Sequence, residues 1–265
     1  MAFNYQYNDS YIGKLSARLS DGGIGNQMSV QVKGATAVLP IIAYEDTVSN
    51  NSTTLGTSTW SANFPSVPAV SGNRHFIIIT GIRDGTDVRI PNPIDWCTGI
   101  TLNSEPVTIH KQAISRYNGA AIGIIQLNAS GSIDVACTTD IAGGADGGWS
   151  ITLIAIDEPT SFSVEGVESF NDSTSSPETF YVPLIPSVYS VGIIMAVTSN
   201  STLAPSFTAT DGNTWTLMYT EDIGSSEYHS VYRTDPIISN TFSGNISAGS
   251  ITTGWAGILI VISWS

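Results

Sequence analysis

The sequence predicts an all-β chain: two tandem β-sandwich domains of jelly-roll type behind an N-terminal arm. Three observations predict it. Charged residues are only 12% of the 265, and Ser (35), Thr (28) and Gly (25) are abundant, a composition of short strands and tight turns rather than helix surfaces. Short apolar runs recur between turn clusters about every 8 to 12 residues, the spacing of sandwich strands. The last strand of one segment is repeated in another: Gly148-Trp149-Ser-Ile-Thr-Leu-Ile-Ala-Ile156 reads like Gly254-Trp255-Ala-Gly-Ile-Leu-Ile-Val-Ile262.

Residues 1–34 belong to neither copy. Tyr5, Tyr7 and Tyr11 crowd the start. Ile12, Leu15 and Leu19 fall at helical spacing with Lys14 and Arg18 among them, and Asp21-Gly-Gly23 would stop such a helix. Met28 to Val32 has strand character. These residues make an arm reaching a neighbour, or the first strand of the first sandwich.

Residues 35–158 form the first expected sandwich and 159–265 the second. Beyond the final strand, Phe76–Thr80 resembles Val191–Met195 at an offset of 115, Arg116-Tyr117 sits near Tyr232-Arg233 at a similar offset, and Phe64-Pro-Ser-Val-Pro68 echoes Val182-Pro-Leu-Ile-Pro186. In the second copy, apolar runs at 180–183, 191–197, 214–219, 228–232, 237–242 and 255–262 alternate with turns such as Thr210-Asp-Gly-Asn213. Continuous runs imply strands packed on both faces, and alternating ones imply one face in water. A jelly roll is preferred over an immunoglobulin-like sandwich, whose Cys-Trp-Cys signature the second copy lacks.

The net charge is −13, with nine Lys and Arg in all. Nucleic-acid binding needs many cations to neutralise phosphates and is not expected. Residues 1–116 hold eight bases and eight acids, whereas 117–265 hold one base, Arg233, and fourteen acids. The start has neither a basic patch nor an apolar run, and the longest apolar stretch, Ala256 to Ile262, is far short of the roughly 20 residues of a membrane span. A soluble protein made in a cytosol without Sec export, with no membrane partner, is expected. Cys97 and Cys137 read as buried thiols rather than a disulfide, because Thr216 follows Trp215 in the second copy where Cys97 follows Trp96 in the first.

Chemistry-bearing motifs are few, and the chain reads as no enzyme with no cofactor or metal. His75, His110 and His229 offer no metal-binding spacing, and no Gly-x-Ser-x-Gly elbow accompanies them. Asp84-Gly-Thr-Asp87 and Asp211-Gly-Asn213 could supply calcium oxygens, yet read better as ordinary turns. Paired carboxylates for glycoside hydrolysis carry no specific signal among so many acids. Phosphate loops are absent, and Gly143 to Gly148 is a loop with no base. Trp149 and Trp255 repeat at one position, which argues for packing; Trp60, Trp96, Trp215 and Trp264 stay open to sugar stacking.

With its Ser/Thr/Gly-rich strands, duplicated sandwich and repeated Gly-Trp final strand, the chain resembles virion proteins of tailed bacteriophages, of the capsid decoration (cement) or tail-fibre type. The resemblance implies an outer capsid protein, made in the host cytoplasm, that stabilises the phage head by bridging subunits. Its partners would be the major capsid protein and itself, in a homo-oligomer such as a trimer. The expected contact residues are Tyr5, Tyr7, Tyr11, Ile12, Lys14, Leu15, Arg18 and Leu19. The alternative is a tail-fibre or baseplate module that recognises host-surface glycans through exposed aromatics such as Trp215 and Tyr228.

Overall fold

The computed structural model describes residues 4–5, 17–18, 41–51, 58–70, 72, 74–83, 96–114, 118–139, 147–157, 162–171, 178–182, 189–198, 203–223, 228–237, 241–247 and 255–264. The chain divides into two compact units, Met1–Val38 and Leu39–Ser265. In the first, β1 (Asn4–Tyr5) pairs antiparallel with β2 (Ala17–Arg18).

The second unit opens with β3 (Ile41–Asn50), β4 (Thr59–Val67), β5 (Arg74–Arg83), β6 (Cys97–Leu102), β7 (Glu105–Pro106), β8 (Thr108–Ile114), β9 (Asn118–Gln126), β10 (Gly131–Thr139) and β11 (Trp149–Asp157). They form one sheet in the order β3-β11-β5-β9-β8 and another in the order β4-β10-β6-β7. The pairing is nested: the first long strand lies beside the last, the second beside the last but one, and the third beside the sixth. A hairpin wound around a barrel gives that pattern, the jelly roll expected from the sequence.

The same order recurs in β12 (Phe162–Asn171), β13 (Glu178–Val182), β14 (Tyr189–Thr198), β15 (Ser206–Ala209), β16 (Trp215–Asp222), β17 (Tyr228–Thr234), β18 (Phe242–Ser247) and β19 (Trp255–Trp264). Their sheets run β12-β19-β14-β17-β16 and β13-β18-β15. The duplication is therefore visible as topology.

Three apolar cores separate the four sheets. The first jelly roll closes over Phe64, Phe76, Ile78, Trp96, Val135 and Leu153, and the second over Phe180, Ile194, Phe242, Leu259 and Val261. A third core lies between the two five-stranded sheets: Ile77, Ile79, Ile122 and Ile154 meet Val191, Ile193, Met195, Val231, Ile258 and Ile260. The result is a slab of four layers. Strands β5, β11, β14 and β19 are apolar on both faces because each lies between two cores. Strands β4, β10 and β18 alternate because one face meets water.

The layers meet reciprocally. Strand β12 of the second jelly roll lies along β8 of the first. Strand β3 of the first is joined to β16 and β17 of the second by Ser49–Glu221 and Glu45–Arg233. The first strand of each copy thus reaches the edge of the other's sheet, as in an isologous dimer.

Pairing register corrects two of the sequence matches. Trp149 lies opposite Ile82, and Trp255 lies opposite Thr198. The third strands are therefore related by 116 residues, not 115. Only that spacing puts Ile77 and Ile79 on the same face as Ile193 and Met195. Likewise Gly119 pairs with Ile82 and Tyr228 with Thr198, so Tyr232-Arg233 corresponds to Gly123-Ile124 and not to Arg116-Tyr117.

Candidate functional site

The contact residues expected from the sequence lie in the N-terminal unit. Tyr5 pairs with Ala17 and Arg18 with Asn4. Ala17 and Arg18 are thus strand, which corrects the helix expected over Ile12 to Leu19; Gly13 and Ser16 inside that span weaken a helix. Tyr7, Tyr11, Ile12, Lys14, Leu15 and Leu19 lie outside the described residues.

In the slab, the chemistry-bearing side chains hold layers together. At one end of the first jelly roll, Arg74 is fully buried and grips Asp157 through Nε to Oδ1 (2.5 Å) and Nη2 to Oδ2 (3.0 Å). Its Nη1 donates to the carbonyls of Pro68 (2.6 Å) and Ala129 (3.2 Å), and the guanidinium lies 5.8 Å from the Phe76 ring centroid. Four chain segments meet on one cation.

The seam between the jelly rolls has polar fastenings. Arg233 of β17 donates to Glu45 of β3 (2.7 Å) and to its neighbour Asp235 (2.6 Å). Glu221 accepts from the hydroxyls of Ser49 and Tyr219, each at 2.6 Å, and these bonds hold its carboxyl below the usual range. Deeper in, Ser150 of β11 is 2.6 Å from Nδ1 of His229 on β17. A serine and a histidine in contact invite comparison with a nucleophile and its base. Here both are buried, at 1% and 0% exposure, and Nε2 of His229 has no hydrogen-bond partner among the described residues. The pair is a crossbar between sheets. Burial alone pushes the His229 imidazole down to about 3.

Sequence reasoning missed these residues as fastenings. One signal was present: Arg233 is the only base after residue 116, among fourteen acids. An isolated cation in an acidic stretch has partners close by, though only the fold shows which.

The other candidates resolve individually. Oδ1 of Asp211 accepts from the Asn213 amide, and Oδ2 from the Ser243 amide and Trp215 Nε1, with Gly212 at φ +79°. This is the turn expected there, with its oxygens turned to the chain's own donors. Asp84 and Asp87 lie outside the described residues. Among the described residues no cluster of three or more His, Cys, Asp or Glu could hold a metal ion. Trp60 and Trp96 are buried and stacked at 6.0 Å, with their N–H groups on Thr80 and on the Ala113 and Ala120 carbonyls. Trp149 is buried, as its repeated position implies. Trp215 is half-buried, edge-on to Phe207 at 4.7 Å. Cys97 and Cys137 are buried free thiols; burial pushes Cys97 up to about 12 and Cys137 higher still.

The outer three-stranded sheet offers a different surface. Tyr181, 54% exposed, stands in rows of Thr179, Ser243, Asn245, Thr208 and Thr210, all uncharged. Several of these are bonded across strands, as in Thr179–Asn245 and Thr210–Ser243. Among the described residues no helix is long and apolar enough to cross a membrane. No protein-family model matches this chain, and no curated protein matches it either.

Proposed function

We propose that this protein works by presenting surface to a larger assembly, as an outer capsid decoration protein that bridges subunits through its N-terminal segment. One observation carries the proposal: the segment is a unit of its own, and its charge is opposite to that of the slab. Met1–Val38 is one of the two compact units of the chain. It holds three bases (Lys14, Arg18, Lys33) and two acids (Asp9, Asp21), a net of +1; the remaining six bases and twenty acids give the slab −14. A basic, tyrosine-rich segment suits an acidic neighbour, and a rigid slab with three cores suits a fixed platform. An interface of standard size buries about 800 Å² per partner. Binding only to the assembled lattice would stabilise the particle by mass action.

The test is deletion of residues 1–20. Capsid binding should be lost while the slab keeps its thermal transition. Normal decoration by the truncated protein would overturn the proposal.

The uncharged outer face around Tyr181 favours a second reading, recognition of host-surface glycans by a tail-fibre module. Binding to a glycan array that is lost in Tyr181→Ala, with no affinity for capsids, would replace the first reading with this one.

A further inference from the structure

We propose that the seam between the two jelly rolls is an acid-sensitive latch, and that His229 is the group that works it. This inference stands apart from the assembly proposal. His229 lies in neither jelly roll's own core; it faces the layer between them, where Ser150 of the other copy meets its Nδ1 at 2.6 Å. Its ring packs on Gly81 of β5, where a Cβ would come within 2.7 Å of it, and the Met195 side chain crowds the same spot. Nε2 has no hydrogen-bond partner among the described residues, and the residue is fully buried. A neutral imidazole bonded to Ser150 through Nδ1 leaves only Nε2 unpaired, without a charge. An imidazolium carries two N–H donors and a charge, and its Nε2 meets no acceptor among the described residues.

Two of the ionisable groups around it, Glu221 and Arg233, are already engaged. Glu221 of β16 lies opposite His229 and accepts from Ser49 and Tyr219. Arg233, four residues along β17, is held by Glu45 of β3 and by Asp235. Strand β5 brings Arg83 two residues beyond Gly81 and His75 at its far end; β11 brings no ionisable side chain before Asp157, and β14 brings Met195. Burial holds His229 at about 3 against an ordinary 6.5. The opened state therefore binds more protons between those values, so the latch is closed at neutral pH and weakens as pH falls below 6.5. From pH 7 to pH 4.5 the equilibrium shifts toward opening by roughly 70-fold. Among the described residues the two buried histidines, His75 and His229, both lie on strands that line the seam, so acid acts there first.

The test uses the full chain with a thiol placed in the seam, Ala256→Cys, and a pyridyl disulfide that labels thiols in acid. Labelling at position 256, corrected for the reagent's own pH dependence, should accelerate between pH 7 and 4.5 while native Cys97 and Cys137 stay protected. Adding His229→Gln should remove roughly 70-fold of that acceleration; His75 contributes equally to both proteins. Equal acceleration with and without His229 would overturn the proposal, and so would labelling of all three sites together. Hydrogen exchange at the ring C2 positions of the unaltered protein gives a second reading that needs no variant. It should report His229 titrating far below 6.5, and a titration near 6.5 overturns the latch.

Discussion

Removing the Asp157 carboxylate should be among the most damaging single changes at the surface of the slab. Arg74 is 0% exposed and Asp157 28%, so the cation is the deeply buried partner. Among the described residues, Asp157→Ala would leave the guanidinium with the Pro68 and Ala129 carbonyls and no counter-charge. Stranding one partner of a buried ion pair costs about 3–5 kcal/mol, and the partial exposure of Asp157 places this case near about 3. Total stability of a domain is about 5–15 kcal/mol, so the loss is measurable and not fatal. Urea unfolding followed by tryptophan fluorescence reports it, because Trp60 and Trp96 sit in the first core. Arg74→Met completes a double-mutant cycle. With the cation gone, Asp157→Ala should cost under about 1 kcal/mol, since the carboxylate no longer has a buried charge to neutralise. If Asp157→Ala alone falls within about 1 kcal/mol of the parent, the clamp is not a buried charge pair in solution and the reasoning fails.

The seam fastened by Glu45 should behave oppositely. Glu45 is 39% exposed and Arg233 keeps Asp235, so Glu45→Gln should lower stability by under about 1 kcal/mol in the same titration. Gly81→Val forces a side chain against the His229 ring and should cost at least about 2 kcal/mol; an unchanged midpoint would show that the sheets stand further apart than described. Cys97 and Cys137 should resist a thiol reagent at pH 8 in the native protein and react fully in denaturant, because burial disfavours the thiolate. Fast native labelling of either would contradict that core.

The sequence revealed the faces of strands better than what covers them. Continuous apolar runs at Phe76–Ile79 and Ile258–Ile262 signal burial on both sides, and both sides are buried. Periodicity says nothing about the covering layer, and the layer turns out to be the other copy. The same property hid the one-residue slip between the third strands. A run apolar at every position has no face signature, so 115 and 116 match equally well until pairing fixes the parity. Asp211-Gly-Asn213 was legible because the turn is built from its own neighbours. Ser150 and His229 are 79 residues apart, and neither has a local pattern that points to the other. Arg74 reads as one of eight bases in a neutral stretch; its burial depends on Asp157, Pro68 and Ala129 arriving together.

The third core also determines what the duplication is for. In the second jelly roll, Val191, Ile193, Met195, Val197, Val231, Ala256, Ile258, Ile260 and Ile262 all face the first, and all are at most 1% exposed. Fully burying one such side chain contributes about 1.5–3 kcal/mol, less for alanine, so baring the whole face would forfeit more than about 10 kcal/mol. That exceeds or matches the entire stability of most domains. Residues 159–265 expressed alone should therefore precipitate or pair through this face, and chromatography with light scattering distinguishes either outcome from a monomer. The reciprocal placement of β12 on β8 and of β3 against β16 and β17 makes pairing geometrically natural, because the face already meets a near-copy of itself. A soluble, folded monomer of 159–265 would mean that the seam contributes little. The slab would then be two independent jelly rolls in contact rather than one body built around a shared apolar layer.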